Sequence, residues 1–146
     1  MGQTRMGGYL ISKIHQLSGR VFAKKLKSYK LDEINPAQGR ILFALWQQDN
    51  IPIQQLSVLT ALSKSTLTRM LDKLEETGHI KRSFPEDDRR KVLIQLTEQD
   101  RKMKESYEEV SNDMVDLYYK GFSDEEIIEL EGYLERVYNN LYNAPE

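Results

Sequence analysis

The chain has 146 residues, a net charge of −2 and a charged fraction of 30%, which suits one ordinary soluble domain with a sizeable core. It has no cysteine, so disulfides, thiol switches and cysteine metal sites are excluded. No run approaches the roughly 18 apolar residues of a membrane span, and the opening "MGQTRMGGYLISKIHQL" lacks the apolar core of a secretory signal. The expectation is a cytoplasmic protein with no membrane partner.

Charge is unevenly placed. Residues 1–30 carry Arg5, Lys13, Arg20, Lys24, Lys25, Lys27 and Lys30 and no acid, whereas residues 121–146 carry Asp124, Glu125, Glu126, Glu129, Glu131, Glu135 and Glu146 against Arg136 alone. Two readings stay open: solvated helix faces of opposite sign, or termini that pack together within one chain or between two.

From Tyr9 to Tyr29, Leu10, Ile14, Leu17, Val21, Phe22 and Leu26 recur at helical spacing. "INPAQGRILFALWQQ" predicts a second helix, with Asn35 as N-cap and Pro36 at the first helical position. A short third helix is expected over residues 53–60. Ser63 caps a fourth, whose buried stripe is Leu67, Met70, Leu71 and Leu74 and whose stop is Gly78 in the left-handed region. "HIKRSF" and "KVLIQL" then read as two strands of a hairpin around the charged tip "PEDDRR", although Leu93 breaks the alternation. Thr97 to Asp100 has the form of a capping box opening one long helix to about Lys120. "FSDEE" repeats the device before a last helix ending near Tyr142.

The predicted fold class is therefore mainly α with a small β-hairpin: four helices, a two-stranded hairpin, two helices. A short helix, a tight turn ("TALS"), a capped helix and a hairpin together make a winged helix-turn-helix. Such a fold asks for a recognition helix that is apolar on one stripe and, on the other, free of bulk and negative charge in its first turns. Lys64, Ser65, Thr66, Thr68 and Arg69 supply that face, with Lys73 one turn on, while Asp72, Glu75 and Glu76 come later. Short hydroxyls can donate to phosphate oxygens or set a methyl against thymine. At the hairpin tip Arg89, Arg90 and Lys91, with Arg82 at its base, concentrate positive charge suited to a narrow minor groove. Asp88 beside them can hold an arginine in one rotamer. Taken singly, the helix reads equally as a plain surface helix and "EDDRRK" as a solvated loop; their order in the chain favours DNA.

The stretches "NPAQGRIL", "KSTLTRMLDKLEETGHIKR" and "PEDDRRKVLIQLTE" resemble, in order and spacing, the multiple-antibiotic-resistance regulator (MarR) family of winged-helix transcription factors. The match is strong over about residues 35–100. The family's Asp-x-Arg wing element falls on Asp88 and Arg90, which implies Arg90 in the minor groove and Asp88 positioning it. The resemblance also implies a regulator, most often a repressor, that reads a pseudo-palindromic operator with recognition helix 63–77 in the major groove and wing 80–96 in the minor groove. It implies a homodimer through residues about 9–30 and 98–142. The chain then divides into an N-terminal dimerisation helix (1–32), a DNA-binding lobe (33–97) and C-terminal dimerisation helices (98–146). No cofactor is expected.

Many relatives bind a small aromatic or phenolic effector between the dimerisation helices and the lobe. Tyr9, His15, Gly39, Arg40, Phe43 and Trp46 are the matching candidates. The plainer reading puts Phe43 and Trp46 on the core stripe of their helix and His15 on the surface. Gly39, where the family usually carries a large apolar residue, makes room for a ligand, allows close helix packing, or is an ordinary substitution. The rival classes are weaker. No phosphate loop or nucleophile motif points to an enzyme, and His15 and His79 have no metal-ligating partner at helical spacing. A winged helix that meets another protein is the serious alternative; it would bind without phosphate-driven salt dependence.

Overall fold

A computed structural model describes residues 4–31 and 33–145 of the chain. Helix α1 (Gly7–Ser28) ends in a Schellman turn: Leu31 N–H bonds back to Leu26 C=O at 2.7 Å and Lys30 N–H to Lys27 C=O at 3.0 Å. Lys30 takes the left-handed conformation at φ 62° that this closure requires. The turn drives Leu26 and Leu31 into the core.

Helix α2 (Pro36–Gln47) starts where the sequence places it, and its cap is a full box. Asn35 Oδ1 accepts from Gln38 N–H at 2.8 Å, and Gln38 Oε1 accepts from Asn35 N–H at 3.1 Å. Its buried stripe is Gln38, Ile41, Leu42 and Leu45, at i, i+3, i+4 and i+7. Phe43 lies off that stripe and is 49% exposed, against the expectation that it is a core residue; Trp46 is half-buried, as the same expectation required. Gly39 settles as close packing: a Cβ there would meet the Phe22 ring at 3.3 Å. Gly39→Ala is accordingly expected to shift stability by less than about 1 kcal/mol, since the helix-propensity gain and the push on Phe22 oppose each other. Gly39→Leu should cost about 1–3 kcal/mol by overpacking. Thermal melts of the pair test this, and equal melting points would remove the packing account.

The sheet corrects the sequence reading. Residues Ile51–Pro52 form a strand, β1, that pairs antiparallel with β3 (Leu93–Leu96), so the expected two-stranded hairpin is a three-stranded sheet in the order β1-β3-β2. Asp49 supports this edge, its Oδ1 accepting Leu96 N–H at 3.0 Å. β2 (Ile80–Ser83) pairs with β3 in a register that sets Ile80 opposite Leu96 and Arg82 opposite Ile94. Ile80, Ile94 and Leu96 point into the core.

Between β1 and β2 lie α3 (Ile53–Thr60) and α4 (Lys64–Glu76). Ala61, left-handed at φ 58°, makes the turn between them, and Ser57 Oγ donates to Leu62 C=O at 2.7 Å to close it. Leu67, Leu71 and Leu74 of α4 are fully buried, and Met70 packs partly against them. Gly78 stops α4 at φ 86°, with His79 N–H bonded to Leu74 C=O at 2.9 Å.

The long helix expected after Thr97 is two helices, α5 (Glu98–Arg101) and α6 (Lys104–Tyr118). Thr97 caps α5, its Oγ1 accepting Asp100 N–H at 3.2 Å, but the reciprocal half of the box is absent. Asp100 instead turns inward to His79 Nδ1 at 3.0 Å. That pins the first turn to the lobe, and the ladder tightens at Met103, whose N–H bonds to Asp100 C=O three residues back. Helix α7 (Asp124–Tyr142) has the capping box expected of Ser123 and Glu126.

The chain divides into two compact units, Met1–Val110 and Ser111–Glu146. The first holds the core, centred on Leu26, Ile41, Leu42, Leu45, Leu56, Leu71 and Ile94. In the second, Tyr119 donates to the Glu131 carboxylate at 2.8 Å, and α7 buries none of its residues.

Candidate nucleic-acid interface

The start of α4 is a polar surface built by local bonds. Ser63 Oγ accepts Thr66 N–H at 3.3 Å and donates to Thr66 Oγ1 at 2.9 Å, which leaves the Thr66 hydroxyl proton free to donate outward. Thr68 Oγ1 donates to Lys64 C=O at 2.8 Å, so its proton is committed and it offers outward only a methyl and lone pairs. Ser65 is exposed, and its hydroxyl has only a long contact of 3.4 Å to Ser63. Of the three hydroxyls predicted to face a groove, Ser65 and Thr66 keep a proton that can donate to phosphate, and Ser65 is the more exposed. Lys64, Arg69 and Lys73 are exposed along the same helix, and no acid lies in its first turn. Uncommitted amides and positive charge converge there, as an anion requires.

The hairpin tip carries its cations outward. Asp88 Oδ1 accepts both the Arg90 backbone N–H at 3.0 Å and its Nε at 3.2 Å, while the Arg90 side chain remains 93% exposed. The loop is closed by Asp88 N–H to Pro85 C=O and Lys91 N–H to Asp88 C=O. Arg89 and Lys91 are exposed beside it. One basic residue departs from the group. Arg82 is turned back onto α4, where it meets Asp72 and Glu75, each at 2.7 Å. Sequence reasoning missed Phe84, 60% exposed at the base of the tip; a lone aromatic between a strand and a proline was the only signal.

The six effector candidates do not converge on one cavity. His15 and Arg40 border a groove of about 410 Å³ between α1 and α2, with Gly19, Arg20 and Pro36. Arg40 also borders a second, of about 450 Å³, with Phe43 and Leu59. Tyr9 is exposed, with the Lys13 ammonium 5.1 Å from its ring centre. Gly39 faces Phe22, and Trp46 packs on Tyr107 with ring centres 4.5 Å apart. Burial pushes the Tyr107 phenol well above its ordinary pKa, and the charges of Asp100 and Glu33 push it further. Among the described residues no cluster of three or more His, Asp or Glu side chains could hold a metal, and no helix is long and apolar enough to cross a membrane.

The MarR family model matches residues 34–92, which run from just before α2 to the wing tip, short of β3. The chain is 32% identical to the HTH-type transcriptional regulator PecS of Dickeya dadantii, over 91% of this chain and 80% of that one. It belongs to the MarR family. With the HTH-type regulator YfiV of Bacillus subtilis identity reaches 38%, over 51% of this chain and 46% of that one. The chain spans about half the length of YfiV and of other curated relatives that it matches. Among solved structures, a mutant of Escherichia coli MarR in complex with operator DNA superposes with a TM-score of 0.77 at 28% identity, covering 89% of this chain and 91% of that one. As a MarR-family protein the chain has the winged-helix fold of a family of DNA-binding transcriptional regulators, not of enzymes.

Proposed function

We propose that the chain acts in the cytoplasm as a homodimeric repressor that reads a pseudo-palindromic operator. Helix α4 enters the major groove through Lys64, Ser65, Thr66, Thr68, Arg69 and Lys73, and the wing reaches the minor groove through Arg90, flanked by Arg89 and Lys91. One observation carries this reading: an acid-free, Ser63-capped helix start on the same lobe as an almost fully exposed arginine whose Nε a neighbouring aspartate holds. The pairing suits a protein that must read base edges and groove width together.

The dimer rests on uncovered apolar faces. Leu10, Ile14 and Leu17 of α1 and Leu134, Val137, Tyr138 and Leu141 of α7 are exposed at helical spacing. A second copy would cover them through residues about 9–30 and 98–142. The basic first helix and the acidic last helices then attract each other across the two-fold axis. The effector reading is a small phenolic acid in the groove beside His15 and Arg40, where cationic side chains border an apolar floor. Such a ligand acts only by preferring a dimer whose helix spacing does not fit the operator.

The test is DNA binding over a salt series, using the duplex that the protein selects from a random-sequence pool and a random duplex as reference. A steep salt slope is expected. Arg90→Ala should bind the selected duplex at least about tenfold more weakly, as suits a contact worth roughly 1–3 kcal/mol. A flat salt dependence with an indifferent mutant would make this a winged helix that meets another protein.

A further inference from the structure

Among the predicted basic DNA contacts, Arg82 is the one whose side chain is withdrawn from solvent, at 19% exposed. Its Nη2 bonds to Asp72 Oδ1 and its Nη1 to Glu75 Oε1, both at 2.7 Å, and its backbone N–H bonds to Glu75 Oε2 at 3.2 Å. Both terminal nitrogens of the fork are therefore bonded to acids of α4, and both oxygens of Glu75 are bonded to Arg82. Asp72 and Glu75 stand three residues apart on one face of the helix, a spacing that one planar guanidinium can bridge. Arg82 itself is fixed in the ladder opposite Ile94, on the strand that carries the wing.

We propose that Arg82 is a positioning residue: it clamps the wing to the recognition helix, so that the two present one fixed geometry to DNA. The proposal rests on the reading of α4 and the wing as the DNA interface. A protein that reads the major groove with a helix and the minor groove with a loop must hold a set distance and angle between them. Backbone pairing fixes only the strands. The strand-to-helix relation falls to the Leu74 and Ile80 packing beneath and to this clamp at the surface. The local charge supports the assignment. Two carboxylates against one guanidinium leave a net negative patch, an unsuitable surface for a direct phosphate contact but a sufficient one for a lock.

Consequently, removing the acids and removing the arginine should both loosen specificity, although they change the charge in opposite senses. The test uses wild type, the double variant Asp72→Asn with Glu75→Gln, and Arg82→Gln. Each is measured against the duplex selected by wild type and against a random-sequence duplex over a salt series, with circular dichroism melts to verify folding. The double variant gains two units of positive charge and should hold random DNA as tightly as wild type or more so. Its ratio of selected to random affinity should still fall by at least about fivefold, within the range of couplings between contacting groups. Arg82→Gln should lower the same ratio with the salt slope unchanged.

If the double variant keeps or raises the ratio, the clamp is overturned. So it is if Arg82→Gln loses about one unit of salt slope, the mark of a lost phosphate contact. Wild-type binding without salt dependence would remove the interface reading and this proposal with it. That failure is told apart because it shows before any variant is compared. The two variants attack the clamp from opposite ends, so a folding defect in one leaves the other as a complete test.

Discussion

Placing lysines at Leu134 and Tyr138 of α7 together is expected to break the proposed dimer into monomers. Binding to the selected duplex should fall at least about a hundredfold, towards the affinity for random DNA, because specific binding typically exceeds non-specific binding by about 10³ or more. Helix α7 has a full capping box and an apolar stripe at 134, 137, 138 and 141, yet none of its residues is buried. A helix with one apolar face demands a cover, and isolated helices are marginal in water. Fully burying one such side chain contributes roughly 1.5–3 kcal/mol, so a few from each copy, joined by the exposed face of α1, suffice for a standing dimer.

Two lysines in the middle of that face meet the basic α1 of a second copy as well as its apolar surface. Since neither position is buried within the chain, far-UV circular dichroism should stay close to wild type. Sedimentation equilibrium and DNA titration are the readouts. A variant that remains dimeric with undiminished affinity would show that α7 is covered by something other than a second copy. A variant that becomes monomeric and still holds the selected duplex would dissociate dimerisation from recognition and leave the palindrome without its cause.

What could be read in the sequence was what is local. The caps at Asn35, Ser63 and Ser123, the proline at position 36 and the glycine stop at position 78 each depend on residues within one turn, and the structure has them all. What escaped was set by partners far along the chain. Strand β1 is two residues long, too short for any alternation, and exists because Ile51 pairs with Ile94. Arg82 was counted with the basic wing since its partners lie 7 and 10 residues upstream, on another element. Phe43 was assigned to the core by hydrophobicity, although the i, i+3, i+4, i+7 frame of Gln38, Ile41, Leu42 and Leu45 already excluded it. For the candidate interface the residue types were legible, but hydroxyl availability was not. That Thr68 donates to Lys64 C=O is a rotamer choice, which composition does not record.

Asp100 is the clearest instance, and it supports the last prediction. Read locally, it was the acidic end of a capping box; in the fold it is fully buried and bonded to His79 Nδ1, 21 residues earlier. His79 is itself buried, follows the Gly78 stop of α4 and directly precedes β2, so the pair joins the recognition helix and the wing to α5. Asp100→Ala would leave the imidazole without its buried acceptor and open a small cavity. A loss of about 2–4 kcal/mol is expected, the range for breaking a buried charged or hydrogen-bonded pair from one side. Asp100→Asn keeps an acceptor oxygen at the same place and should lose less than half as much. Thr97 Oγ1, which donates to Gly78 C=O at 2.6 Å, and the α5 cap remain in both variants, so the difference reports the His79 bond together with the small cavity. Urea titrations of the two variants and of His79→Phe/Asp100→Leu complete the series. In that double variant two apolar side chains replace the pair, and stability should recover above Asp100→Ala, because a buried polar pair is most costly when half of it is left behind. If Asp100→Ala melts with wild type, Asp100 does not hold the junction, and the break between α5 and α6 needs another cause.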